Sequence, residues 1–153
     1  MYREREKEQH SNYNRAVEYI SHSVAETEAI AAKLAESLQP NDVVALEGDL
    51  GAGKTQFVRG LVKALGGDGR SVSSPTFVLL NVYQTPLFAV YHLDAYRVGG
   101  AEDFSSIGFG ELLEQNGIVV VEWPSRVKEI LPAKRININF EITGKTHRKI
   151  TVA

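Results

Sequence analysis

Gly48-Asp49-Leu50-Gly51-Ala52-Gly53-Lys54-Thr55 matches the pattern G-x-x-x-x-G-K-[ST] at every specified position. Each part of that pattern has an electrostatic task. The glycines let the backbone close into a concave nest whose N–H groups point at phosphate oxygens. Lys54 reaches the β- and γ-phosphates, and the Thr55 hydroxyl is placed to ligate Mg²⁺. The helix that follows adds the positive end of its dipole. The competing reading is an ordinary Gly-rich turn before a helix, and the flanks argue against it. Val43-Val44-Ala45-Leu46 is a short apolar run leading into the loop, as a buried parallel strand requires. Beyond the loop, Phe57, Val58, Leu61, Val62 and Leu65 recur at helical spacing, and Gly66-Gly67 supplies a stop.

Working outward, the pattern extends to most of the chain. Ser23-Val24-Ala25-Glu26 fits a capping box, and Ile30, Leu34 and Leu38 continue it as an amphipathic helix ending near Pro40. Phe77–Tyr83 and Leu87–Leu93 are strand-like and separated only by Gln84-Thr85-Pro86, which predicts an antiparallel hairpin. Ser105–Leu113 reads as a short helix weakened by Gly108 and Gly110. Ile118–Val121 reads as a buried strand, and Pro124–Leu131 as a short helix stopped by Pro132. Arg135–Phe140 and His147–Val152 form a second hairpin around Gly144. The expectation is an α/β, three-layer P-loop NTPase-like fold: a central mixed sheet, parallel at its core with antiparallel hairpins, flanked by helices. Residues 16–153 form one such domain. Residues 1–15, with the charge alternation Arg3-Glu4-Arg5-Glu6-Lys7-Glu8, read as a flexible, solvated tail.

The bulk properties exclude several function classes. At 153 residues and 43% hydrophobic, the chain suffices for one well-buried core. The absence of cysteine removes disulfides, thiolate metal sites and a Cys nucleophile. A net charge of −2 gives no global field for nucleic acid or anionic lipid, so any tRNA contact is expected to be indirect. No apolar run approaches membrane-spanning length and no secretory h-region is present, so a cytoplasmic location is expected.

A phosphate loop implies a nucleoside triphosphate. The rest of the chemistry belongs at the C-terminal ends of neighbouring strands, where ligands of open α/β sheets bind. Ile118-Val119-Val120-Val121-Glu122 is four apolar residues followed by an acid, the Walker B pattern, whose carboxylate holds Mg²⁺ or orients water. A solvent-facing strand-end Glu is the alternative, and the phosphate loop tips the balance toward function. Tyr91-His92-Leu93-Asp94-Ala95-Tyr96-Arg97 ends the second hairpin strand. Asp94 is a second candidate for the Mg²⁺ shell or the water. Arg97 could neutralise phosphate charge. His92 competes with a structural, hydrogen-bonded reading, and the Asp–Arg pair with a turn ion pair. Ser73-Ser74-Pro75-Thr76 has the position of a switch segment in which Thr76 senses the γ-phosphate. Trp123 is either core packing or a wall of the site.

Four segments together, Gly48–Thr55, Ser74-Pro75-Thr76, His92-x-Asp94-x-Tyr96-Arg97 and Val121-Glu122-Trp123-Pro124, resemble the TsaE (YjeE) family in order and spacing over residues 22–152. The Glu26-Thr27 pair resembles it too. Departures are slight: Gln56 stands where Thr is frequent, and the charged N-terminal extension lies outside the family pattern. The resemblance implies an ATP-binding, slowly ATP-hydrolysing protein of tRNA N6-threonylcarbamoyladenosine synthesis, acting with the TsaB–TsaD heterodimer and using ATP and Mg²⁺. By position it implies Asp49, Leu50, Gly51, Ala52, Gly53, Lys54, Thr55, Gln56 and Thr76 as the nucleotide contacts, and Thr55 and Glu122 as Mg²⁺ ligands. Glu122, Asp94 and Lys54 would serve hydrolysis. A small-molecule kinase would share the loop but usually needs an Arg-rich lid, and the arginines here are dispersed. A guanine-reading N-K-x-D segment is missing, which argues against a GTP switch. A nucleotide-gated adaptor without catalysis would not require both Thr55 and Glu122.

Overall fold

The computed structural model describes residues 16–73 and 79–153. The expectations for the tail, for Ser74-Pro75-Thr76 and for Phe77 lie outside those residues. One seven-stranded sheet runs in the order β1-β7-β6-β2-β5-β4-β3. Its strands are β1 Val17–Ser21, β2 Val43–Glu47, β3 Leu80–Gln84, β4 Ala89–Asp94, β5 Ile118–Glu122, β6 Ile136–Ile142 and β7 Arg148–Val152. β6, β2, β5 and β4 are mutually parallel. The two hairpins, β3–β4 and β6–β7, are antiparallel, as is the pairing of β1 with β7. The sheet is therefore mixed with a parallel core.

Alternation along the central strands sends side chains to two different layers. On one face Val44, Leu46 and Val120 pack with Phe57, Val58, Leu61 and Val62 of helix α2 (Lys54–Ala64) and Ala31 and Ala35 of α1 (Val24–Ala35). On the other face Val43, Val119, Val121 and Leu93 pack with Phe104 of α3 (Ala101–Ser106) and Phe109 of α4 (Phe109–Leu112). Those are the three layers. α1 and α2 approach closely because residue 60 is glycine: a Cβ there would stand 2.6 Å from the Glu28 carbonyl oxygen and 2.7 Å from its Cα.

The caps follow the sequence. Ser23 accepts a hydrogen bond from the Glu26 N–H, while the Glu26 carboxylate takes the His22 N–H rather than that of Ser23, a variation on the capping box. α2 ends in a Schellman motif, with Gly67 N–H on the Val62 carbonyl (2.9 Å), Gly66 N–H on the Lys63 carbonyl (3.0 Å) and Gly66 at φ 90°.

Three elements differ from the sequence reading. Ser105–Leu113 is not one helix: α3 ends at Ser106 and α4 begins at Phe109, because Gly108 sits at φ 79° and breaks the run. Pro124–Leu131 is not an α-helix but two 3₁₀ turns, Pro124–Arg126 and Lys128–Ile130. β1 has no counterpart in the sequence reading; its burial runs from exposed Val17 to buried Ser21, so no clean alternation marks it. Among the described residues no helix is long and apolar enough to cross a membrane.

Candidate functional site

β2 delivers the chain to the phosphate loop at the C-terminal edge of the parallel strands. Gly51 and Gly53 take φ 79° and 102°, the left-handed conformations that close the loop. Gly53 is the residue before α2, and no side chain caps that helix, so its first turn presents backbone donors at the loop. Ala52 is fully buried, and its N–H bonds the Asp49 carbonyl at 3.0 Å.

Lys54 is only 5% exposed. Its ammonium bonds the Gly48 carbonyl at 2.5 Å and lies 3.7 Å from the centre of the Trp123 ring. Burial pushes its pKa down, opposed by the nearby carboxylates of Glu122, Asp94, Glu47 and Asp49. Trp123 holds its place through an uncommon backbone. It sits at φ 58°, and Pro124 after it disfavours the right-handed helical region. The Trp123 N–H bonds the Leu46 carbonyl at 3.1 Å, and Tyr96 packs against its ring at 4.8 Å between centroids.

Glu122 and Asp94 are register partners across β5 and β4, and both are buried. Burial raises the Asp94 pKa, and Glu122 adds like-charge repulsion; the Tyr96 N–H bonded to Asp94 Oδ1 at 2.8 Å and the Lys54 charge pull the other way. Glu122 bonds His92: the ring Nε2 stands 2.6 Å from Glu122 Oε2. A cavity of about 350 Å³ gathers Leu50, Gly51, Gly53, Lys54, Thr55, Gln56, Asp94, Tyr96, Arg97, Glu122 and Trp123. The structure thus brings together most of the residues singled out in the sequence. Asp49 and Ala52 belong to the loop but do not line that cavity, and Thr76 lies outside the described residues.

Sequence reasoning missed four participants. Tyr83 hydrogen-bonds His92 Nδ1 at 2.9 Å. Asn81 is the register partner of His92, so Tyr83 is its diagonal neighbour on the same face, and hairpin register alone could have found it. Arg59 bonds Gln56 (2.6 Å) and the Val72 carbonyl (3.1 Å), at i+3 from Gln56 on α2. Lys145 and Arg148, from the second hairpin, border a neighbouring cavity of about 400 Å³ that also meets Gly51, Gly53 and Gln56. Nothing local in the sequence links that hairpin to the loop.

The donor set suits Mg²⁺ better than a softer metal. It offers the Thr55 hydroxyl and one or two carboxylates beside a phosphate loop, while no cluster of three or more His, Cys, Asp or Glu among the described residues forms a closed protein cage.

Comparison with known proteins fits this geometry. The family model described as threonylcarbamoyl adenosine biosynthesis protein TsaE matches residues 21–150. The chain belongs to the TsaE family. TsaE of Rickettsia felis is 40% identical over 133 residues, covering 87% of this chain and 77% of that one. TsaE of Bacillus subtilis is 40% identical over 126 residues, covering 82% and 78%. Both carry the name tRNA threonylcarbamoyladenosine biosynthesis protein TsaE. The crystal structure of Bacillus subtilis YdiB superposes with a TM-score of 0.75 at 33% identity, covering 90% of this chain and 84% of that one. The P-loop NTPase-like architecture is therefore shared with a solved structure.

Proposed function

We propose that this TsaE-family chain is a Mg²⁺-dependent ATPase of tRNA N6-threonylcarbamoyladenosine synthesis, hydrolysing ATP slowly and acting with the TsaB–TsaD heterodimer. The observation that carries the reading is the convergence of Lys54, Thr55, Asp94 and Glu122 on one cavity at the mouth of the phosphate loop. The nucleoside would extend past Gln56 into the neighbouring cavity, which shares Gly51, Gly53 and Gln56 with the first.

In this reading Lys54 leaves the Gly48 carbonyl and meets the β- and γ-phosphates, exchanging a neutral acceptor for an anionic one. The loop amides and the first turn of α2 hold the remaining phosphate oxygens. Thr55 and Glu122 would hold Mg²⁺, which neutralises charge on the transferring phosphoryl group. Asp94, with its raised pKa, is a better proton acceptor than an ordinary carboxylate and would orient the attacking water. Arg97 lines the same cavity and would add positive charge at the γ-phosphate. Ordered phosphate contacts of this kind transmit nucleotide state to a partner surface.

The test is phosphate release by the purified chain with ATP and Mg²⁺, alone and with purified TsaB–TsaD, alongside complex formation in each nucleotide state. The reading expects slow turnover alone, stimulation by the pair, and tighter association with ATP than without nucleotide. Fast turnover by the isolated chain and no association in any nucleotide state would overturn it.

A further inference from the structure

His92 is fully buried, and its two hydrogen bonds have no part in the chemistry above. It stands two residues before Asp94 on β4, so both side chains share a face of the sheet. The ring Nε2 is 2.6 Å from Glu122 Oε2, and Nδ1 is 2.9 Å from the Tyr83 hydroxyl. That hydroxyl is also 3.0 Å from the Ser73 carbonyl oxygen. A carboxylate that ligates Mg²⁺ has no proton to give, so in that reading Nε2–H donates to Glu122. A donor this close to a carboxylate forms a strong, charge-assisted bond, and inside the protein little water competes for it.

The consequence falls on the rotamer of Glu122. Glutamate has three side-chain torsions, and its terminal torsion is broad. An imidazole fixed at its far end by Tyr83 cannot turn with the carboxylate. One oxygen held by the ring leaves the other for the cavity that Glu122 lines.

The geometry points to His92 as a positioning residue: by holding Glu122 Oε2 it sets the orientation in which this carboxylate meets Mg²⁺ at the phosphate loop, and Tyr83 sets the orientation of the ring. The inference rests on the Mg²⁺–nucleotide reading above. A hydrogen-bonding partner behind a metal ligand typically carries about 10–100-fold in metal affinity or activity.

The experiment uses the full chain, with calorimetry of the non-hydrolysable β,γ-imido analogue of ATP in Mg²⁺ and in EDTA, together with steady-state turnover. His92→Phe should leave the affinity in EDTA unchanged but lose most of the tightening that Mg²⁺ gives the parent. Its kcat should fall about tenfold or more with little change in KM. His92→Gln, which keeps an amide donor near Glu122, should recover part of both losses. In a Glu122→Gln background, His92→Phe should cost nothing further, because it acts through the carboxylate already removed. A parent-like Mg²⁺ response in His92→Phe, or the same loss in both backgrounds, overturns the inference. Should His92→Phe not fold, Tyr83→Phe decides. It should keep the EDTA affinity and weaken the Mg²⁺ response, and parent-like behaviour in both refutes the proposal. A parent chain that binds no nucleotide in either buffer defeats the ATPase reading itself and this inference with it. A parent that binds and responds to Mg²⁺ while the His92 and Tyr83 variants match it defeats the positioning role alone.

Discussion

Lys54 shows how function and stability pull apart at a single residue. Its ammonium is buried at a cost, which the Gly48 carbonyl, the Trp123 ring and nearby carboxylates offset. Lys54→Ala is therefore expected to fold, to bind ATP about 10–100-fold more weakly, and to lose turnover; a hydrogen bond to a charged group contributes about 1.5–3 kcal/mol. Titration calorimetry with ATP checks it, and unchanged affinity would remove residues 48–55 as the site. Glu122→Gln should still bind ATP but turn it over about 100-fold more slowly or worse, since an amide neither accepts a proton nor supports Mg²⁺ well. Asp94 adds a pH signature. Its pKa is raised on folding, so the folded state favours the neutral acid. Below the pH range where the unfolded carboxyl ionises, it carries no penalty; the penalty grows as pH rises from there to the higher folded value, and above that it stays constant. Asp94→Asn should thus match the parent in Tm at low pH and exceed it at pH 7, while losing activity. Thermal unfolding at a series of pH values would show a constant difference if burial of this charge were not the cause. The loop and both acids were legible in sequence because each is a short local pattern beside an apolar strand. Tyr83, Arg59, Lys145 and Arg148 were not, because their partners are set by register and by the packing of distant segments.

At the scale of elements, the two principal helices are held by caps and by one close approach. Gly60→Ala would gain about 1 kcal/mol of helix propensity. The new Cβ would meet the Glu28 backbone, which cannot swing aside as a flexible side chain does. Overpacking of this kind costs about 1–3 kcal/mol, so net destabilisation is expected, with a lower urea midpoint. A higher midpoint would mean that α1 and α2 separate freely. Ser23→Ala should cost about 1 kcal/mol through its lost bond to Glu26 N–H. Helices with strong periodicity and caps were readable in advance. The helical segments on either side of the strand β5 were not, because Gly108 at a left-handed φ and Pro124 after Trp123 cut them into pieces too short to show a period.

For the whole molecule, strand order explains why the site assembles where it does. β2, β5 and β4 are neighbours in the sheet yet far apart in sequence, and only their parallel pairing brings Lys54, Glu122 and Asp94 to one edge. Apolar runs ending in a loop or an acid reveal such strands; the pairing of β1 with β7 leaves no trace in local pattern, which is why the first strand escaped notice.

That pairing also governs timing. Ser21 and Arg148 are register partners, although 127 residues separate them. At ribosomal speeds of about 5–20 residues per second, β1 waits roughly 6–25 seconds for its neighbour to be made. Through that interval α1 and α2 have the sequence they need to dock, while β1 has nothing to pair with. Val17 and Ile20, half exposed even in the finished fold, are then open to proteases and to other chains. Nascent chains stalled before residue 148 should be clipped within residues 17–21, and those bonds should become resistant once β7 has emerged and paired with β1.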